Sequence, residues 1–325
     1  MTHKILIDSF GGPEVMRLAE VEQESPGPGE VLVAQSAVGV NFIDTYHRSG
    51  LYPLEMPAGL GLEAGGTVAA VGEGVSDYAV GDPVAYCGMP PGAYASDRVV
   101  AADKLIRLDD GITADIAAAS LLKGMTAWYL LFRSYPVQAG DTVLMYAAAG
   151  GVGQIATAWA ASLGARVIGV VSTDEKAALA KSAGCSDIVM ADDAAFVDTV
   201  RGLTGGEGVA AAYDSVGKDT FYQSLDCLRK HGMMVTYGNA SGAVEPFAPL
   251  ELAKRGSLKL TRPVLFDFIS DREGLLAAAD ALFSVIRDGT VAINISAGYA
   301  LAEAVQAHQD LEARRTTGSI LLKPA

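Results

Sequence analysis

The sequence predicts an α/β protein that joins a β-rich domain to a doubly wound parallel sheet, and three observations carry that prediction. The first hundred residues are short extended runs cut by glycine and proline. From Val143 onward, apolar runs alternate with helical patterns, as expected for a parallel sheet covered by helices on both faces. Where the first of these runs meets the first helical pattern stands a glycine turn, Ala147-Ala-Ala-Gly-Gly-Val-Gly153.

Lys4–Ile7, Arg17–Val21 and Glu30–Ala37 read as strands, with Pro26-Gly-Pro-Gly29 as a turn. A short helical pattern at Phe42–Arg48 leads into the loop Ser49-Gly-Leu-Tyr-Pro53. Further strands are expected at Gly66–Val71, Asp82–Tyr86 and Tyr94–Val99. Short strands at this spacing predict a small barrel or sandwich-like domain. Between Asp115 and Phe132 the pattern becomes Ala/Leu-rich and helical, with a break expected at Lys123-Gly124 where the chain crosses between domains.

The second half then repeats βα units. Strands are expected at Val143–Tyr146, Arg166–Val171, Asp187–Met190, Val209–Asp214 and Met233–Tyr237. The intervening helices fall at Val152–Leu163, Glu175–Ser182, Ala195–Leu203 and Thr220–Arg229. Beyond Leu258 come one more strand, a helix at Arg272–Ile286, and the segments Val291–Ile295, Leu301–Leu311 and Ser319–Leu322. The last of these is placed to return to the first domain.

The glycine turn carries the chemistry. A buried strand, Asp141–Tyr146, enters it and a helix leaves it. Gly150, Gly151 and Gly153 permit the tight turn, and the amides at the helix start are suited to a pyrophosphate. Its spelling, Ala148-x-Gly150-x-x-Gly153, has alanine at the usual first glycine. The repeated βα context makes it a dinucleotide site rather than a packing turn.

Where an NAD-selective unit places an acid about 20 residues beyond the motif, this chain ends its second strand Gly169-Val-Val-Ser172-Thr173. Ser172 and Thr173 offer hydroxyl donors for a 2′-phosphate, and Lys176 adds an ammonium one helical turn on. That favours NADPH. Asp174 and Glu175 read either as partners of the adenosine ribose or as helix-start acids.

Bulk properties narrow the function classes. Half the residues are hydrophobic and 19% are charged, which suits sizeable cores, and no apolar run is long enough to span a membrane. The N-terminus lacks a secretory pattern. Three scattered cysteines have neither disulfide nor metal spacing, so a cytoplasmic setting is expected. A net charge of −14 argues against nucleic acid as a partner. None of the four histidines sits beside a cysteine at ligand spacing, so no zinc site is expected.

Several stretches together carry a resemblance that spans the whole chain: Gly39-Val-Asn-Phe-Ile-Asp-Thr-Tyr46, Ser49-Gly-Leu-Tyr52, Gly59-Leu-Gly-Leu-Glu63-Ala-Gly-Gly, Leu122-Lys-Gly-Met-Thr126, Ala147–Gly153, Tyr213-Asp-Ser-Val-Gly217, Tyr237-Gly-Asn239 and Arg314–Gly318. On these the chain resembles the zinc-free quinone oxidoreductases, the zeta-crystallin-like branch of the medium-chain dehydrogenase/reductase superfamily, and most nearly the bacterial NADPH:quinone reductases. The resemblance implies a GroES-like catalytic domain split between 1–122 and 263–325, around a Rossmann dinucleotide-binding domain at 123–262. Zinc-dependent relatives would have cysteine at the position of Asn41 and histidine at that of Leu62.

It also implies a site between the domains. Asn41 and Thr126 would face the nicotinamide end of NADPH. Gly151 and Val152, flanked by Gly150 and Gly153, would hold the pyrophosphate. Ser172 and Lys176 would meet the 2′-phosphate, while Ser215, Tyr237 and Asn239 would line the cleft floor. Arg314, with Arg315 as a neighbouring alternative, would serve the phosphate side. Asn41, Tyr46 and Tyr52 would orient the acceptor, the two rings being able to stack on a quinone. A homodimer paired near Tyr237–Phe247 is a further implication.

Two departures stand out. The tyrosine often found after the third strand is missing around Met190-Ala191-Asp192, and Ala158 and Ala161 replace a glutamine and a basic residue of the family signature. Two other functions share much of this pattern: NADPH-dependent reduction of the C=C bond of α,β-unsaturated ketones or aldehydes, and a non-catalytic crystallin-like or RNA-binding role.

Overall fold

The computed structural model describes residues 1–324. The chain divides into two compact units: Met1–Lys123 with Ile269–Arg287 and Ile293–Ala325, and Gly124–Phe268 with Asp288–Ala292. Residues 263–268, expected with the β-rich unit, therefore group with the parallel sheet. Within that unit Phe268 stacks on Tyr129, with ring centroids 4.9 Å apart and planes at 6°.

The first unit is built on the long strand Glu30–Val40. It pairs antiparallel with Glu63–Val71, Asp97–Ala101 and Ser319–Lys323. Pro83–Cys87 and Leu105–Arg107 extend the sheet on one side, and Ile295–Ala300 joins Ser319–Lys323 in parallel on the other. The C-terminal strand thus returns to complete the β-rich unit. A separate three-stranded sheet holds Met16–Val21, Thr2–Ile7 and Ala58–Gly59. Both sheets contribute to one core that includes Ile5, Ile7, Val31, Val38, Leu60 and Ile320.

The second unit is a six-stranded, all-parallel sheet. Its order is Asp187–Met190, Arg166–Val171, Thr142–Met145, Val209–Asp214, Leu228–Thr236 and Lys259–Thr261. Val209–Asp214 is buried along its full length, as expected of a strand covered on both faces. The order reverses between Thr142–Met145 and Val209–Asp214. In open α/β sheets that switch point opens a crevice at the carboxyl ends of the strands.

Some sequence expectations shift. The helix Ala114–Tyr129 runs unbroken through Lys123-Gly124. Ala117, Ala118, Leu121 and Met125 are fully buried there, so packing offsets the cost of about 1 kcal/mol that a mid-helix glycine carries. The helix Phe221–Cys227 stops before Arg229 because Leu228 already belongs to the next strand. The strand anticipated from Tyr94 starts at Asp97. Beyond the segment Val291–Ile295, a tail strand forms at Ile295–Ala300.

Candidate active site

In the parallel-sheet unit, the glycine turn sits at the carboxyl end of Thr142–Met145. Ala147 adopts φ +50°, and its carbonyl accepts the Gly150 N–H at 2.8 Å. The helix Gly151–Ser162 starts immediately, and its first intrahelical bond is Gln154 N–H to Gly150 O at 2.9 Å. The amides of Gly151, Val152 and Gly153 therefore have no partner within the helix, the arrangement that receives an anion. A Cβ on Gly153 would lie 2.2 Å from the Ala147 carbonyl oxygen, so only glycine lets turn and helix approach this closely. The turn leaves these helix-start amides to face an anionic group.

One strand away, Arg166–Val171 ends at Ser172 and Thr173. Thr173 caps the helix Asp174–Ser182, its hydroxyl accepting the Lys176 N–H at 3.3 Å. That engages Thr173 as a cap, while Lys176 Nζ reaches back to Ser172 Oγ at 3.4 Å. Asp174 and Glu175 occupy the first turn of this helix, where carboxylates are favoured by its dipole.

On the other side of the switch point, Ser215 follows Val209–Asp214. The buried carboxylate of Asp214 ties the loop down, accepting N–H bonds from Val216 at 2.7 Å and Gly217 at 3.1 Å and hydroxyl bonds from Thr220 and Ser224. Tyr237 N–H bonds Asp214 O at 2.8 Å, and Ala240 N–H bonds Ser215 O at 3.2 Å. Ser215, Tyr237 and Asn239 are therefore held on adjoining loops. Thr126 is buried on the helix Ala114–Tyr129.

In the β-rich unit, Asn41 is the N-cap of Phe42–Ser49. Its backbone N–H bonds Asp44 Oδ2 at 2.8 Å, and its side-chain amide donates to Glu63 Oε1 at 2.7 Å. Glu63, fully buried, also accepts Lys123 Nζ at 3.2 Å and the Leu122 N–H at 2.7 Å. A Cβ at Gly39 would stand 2.3 Å from Glu63 Oε1 and 2.2 Å from Ala118 O, so glycine there makes room for the carboxylate. Leu62, the residue before Glu63, is fully buried. Among the described residues no group of three or more His, Cys, Asp or Glu side chains is placed to share a metal.

Tyr46 and Tyr52 meet edge-on with ring centroids 5.3 Å apart, and Phe42 and His47 complete the aromatic group at 5.8 and 6.0 Å. Arg314 follows the helix Ala304–Glu312 in the left-handed region, φ +57°. Its neighbour Arg315 is paired with Asp310 at 3.2 Å.

Sequence reasoning missed a buried network. Asp44 Oδ2 accepts the Tyr94 hydroxyl at 2.9 Å, Tyr94 meets His308 Nε2 at 2.9 Å, and His308 Nδ1 meets Arg48 Nη1 at 2.9 Å. Arg48 in turn forms a bidentate pair with Glu312 at 2.7 and 3.0 Å. Burial pushes the Asp44 carboxyl up to about 7, against the pull of the Asn41 N–H and the Tyr94 hydroxyl. Burial, helped by Arg48, holds His308 down at about 3. The Asn41-x-x-Asp44 spacing is a capping pattern legible in the sequence. Nothing local points to Tyr94 or His308.

Comparison with known proteins bears on the whole chain. The family of alcohol dehydrogenase GroES-like domains matches residues 27–110, and the zinc-binding dehydrogenase family matches residues 151–279. A quinone oxidoreductase of Pseudomonas aeruginosa is 47% identical over 325 residues, with both chains fully covered. A 2-haloacrylate reductase of a Burkholderia species is 44% identical, covering 100% of this chain and 99% of its own. The crystal structure of Escherichia coli quinone oxidoreductase complexed with NADPH superposes with a TM-score of 0.97 at 44% identity, both chains again fully covered.

Proposed function

The chain belongs to the quinone oxidoreductase family of the medium-chain dehydrogenase/reductase superfamily, and from that premise we propose that it reduces quinones with NADPH. The observation that carries the reading is its full-length likeness to quinone oxidoreductases, one of them solved with NADPH. NADPH supplies the hydride when bound. In this reading the amides of Gly151 and Val152 hold the pyrophosphate, with Gly150 and Gly153 keeping the turn tight. Ser172 and Lys176 hold the 2′-phosphate, and Arg314 adds charge on that side. Thr126, Ser215, Tyr237 and Asn239 orient the rest of the cofactor.

Asn41 is read as a nicotinamide-side residue, and Tyr46 and Tyr52 as aromatic surfaces for the acceptor. A quinone accepts electrons readily, so the protein's task is to hold and align. The buried Glu63 carboxylate sets the plane of the Asn41 amide through the 2.7 Å bond.

A second reading is supported by the 44% identity to a 2-haloacrylate reductase: reduction of a C=C bond activated by a neighbouring carbonyl group, which includes enones. The discriminating experiment follows NADPH consumption with phenanthrenequinone, a medium-chain enone and 2-chloroacrylate. Quinone turnover with the highest kcat/KM supports the first reading, and preference for either alkene replaces it with the second.

We also read the protein as a cytoplasmic homodimer. No helix among the described residues is long and apolar enough to cross a membrane, and the three cysteines are free thiols, all buried. The edge strand Lys259–Thr261 leaves one side of the parallel sheet without a partner strand within the chain. Light scattering during gel filtration tests the dimer; a monomer mass excludes it.

A further inference from the structure

The buried network around Asp44 lies outside the roles assigned above, and its donors run in one direction. A guanidinium only donates, so His308 Nδ1 must accept from Arg48. A neutral His308 then carries its proton on Nε2 and donates to the Tyr94 oxygen, which leaves the Tyr94 hydroxyl to donate to Asp44 Oδ2. The same Oδ2 receives the Asn41 backbone N–H. Asp44 Oδ1 is buried with no hydrogen-bond partner among the described residues.

We propose that Asp44 is a positioning residue, whose carboxyl grips the Asn41 backbone more tightly when ionised than when protonated and so couples hydride transfer to pH. Asp44 acts through Asn41, and the kinetic half of the proposal rests on Asn41 being a site residue of the quinone reductase reading. The ionised carboxylate makes charge-assisted bonds to Asn41 and Tyr94, roughly twice as strong as neutral ones. The bare Oδ1 is where a proton resides, because Oδ2 is already occupied by two donors.

The charged and titratable groups around Asp44 come from every neighbouring element. Tyr94 faces it from the loop before Asp97–Ala101, with His308 of Ala304–Glu312 behind. Glu63 of Glu63–Val71 and Lys123 of Ala114–Tyr129 act on it with opposite sign. Cys87 of Pro83–Cys87 feels its field, and Arg48 lies on its own helix behind His308. Glu63 and Lys123 form an ion pair at 3.2 Å, so their fields on Asp44 largely oppose one another. Burial and the two donors then decide its state.

The test is single-turnover oxidation of NADPH by 1,4-benzoquinone between about pH 5.5 and 8.5, run on the wild type, Asp44→Asn and Tyr94→Phe. The wild-type rate should rise several-fold through neutral pH. Asp44→Asn should be flat and close to the wild-type rate at low pH, while keeping its affinity for NADPH by fluorescence titration. Tyr94→Phe removes a donor to the ionised form and should move the midpoint upward; it also serves if Asp44→Asn fails to fold. An Asp44→Asn profile with the wild-type step, or an unmoved Tyr94→Phe midpoint, overturns the proposal.

Infrared spectroscopy separates this from failure of the functional reading. If the wild type reduces no quinone, that reading falls, and the carboxylic-acid band decides the site independently. A band that titrates near neutrality and is missing from Asp44→Asn supports the assignment of the buried acid to Asp44. Its absence from the wild type overturns it.

Discussion

Lys176 Nζ lies 3.4 Å from Ser172 Oγ, at the tip of the second parallel strand. An ammonium and a hydroxyl converge where an NAD-selective unit would place a carboxylate. Replacing Lys176 by alanine removes a charge-assisted bond of about 1.5–3 kcal/mol. KM for NADPH should rise on the order of tenfold or more while KM for NADH stays within about twofold. Equal changes for both cofactors would show that Lys176 has no part in reading the 2′-phosphate.

The pair Tyr46 and Tyr52, edge-on at 5.3 Å, separates ring from hydroxyl. Phenylalanine at either position keeps the ring-to-ring contact. If the hydroxyls help orient the acceptor, Tyr52→Phe lowers kcat/KM for a small quinone several-fold and leaves KM for NADPH unchanged. Full kcat/KM in both single variants would remove the hydroxyls from the mechanism and leave the rings as surfaces only.

Gly153→Ala tests the phosphate turn. Its new methyl would lie 2.2 Å from the Ala147 carbonyl oxygen, so turn and helix start must separate. Overpacking of this kind costs about 1–3 kcal/mol. A fall in Tm of several degrees, with NADPH affinity lowered more than tenfold, is the expected result; calorimetry and fluorescence titration measure the two. Unchanged NADPH affinity would mean that the cofactor does not use this turn.

The Asp44 carboxyl also makes a prediction about stability. Its value is raised from an ordinary 3.8 to about 7 in the folded protein. The native state therefore binds a proton that the unfolded chain releases, and this contribution is complete below about 3.8 and lost as pH rises through about 7. Asp44→Asn, which cannot ionise, should gain thermal stability relative to the wild type at pH 8 compared with pH 5. A difference in Tm that does not vary between those two pH values would contradict the buried acid.

The parallel sheet was the most legible part of the chain. Arg166–Val171 and Val209–Asp214 match their apolar runs residue for residue, because a strand buried on both faces must be largely apolar; the half-buried edge strand Asp187–Met190 keeps its expected bounds as well. The glycine turn was legible for a related reason, since a close backbone approach excludes side chains. Lys123-Gly124 resembles a helix break on local propensity alone, because the buried neighbours that sustain the helix come from tertiary packing. The network at Asp44 was illegible for a topological reason. Tyr94 is 50 residues from Asp44, and His308 another 214 from Tyr94, and no local pattern links side chains so distant in sequence. The same holds for Lys123 and Glu63, 60 residues apart, although both stand in motifs that carried the resemblance.

The decisive measurement is kcat/KM for one quinone, phenanthrenequinone, determined in parallel with NADPH and with NADH on the purified protein. Efficient turnover with NADPH, at least about tenfold above NADH as one lost charge-assisted contact implies, is the expected result. No quinone turnover, or equal or better turnover with NADH, would contradict NADPH-dependent quinone reduction and with it the assignment of Ser172 and Lys176.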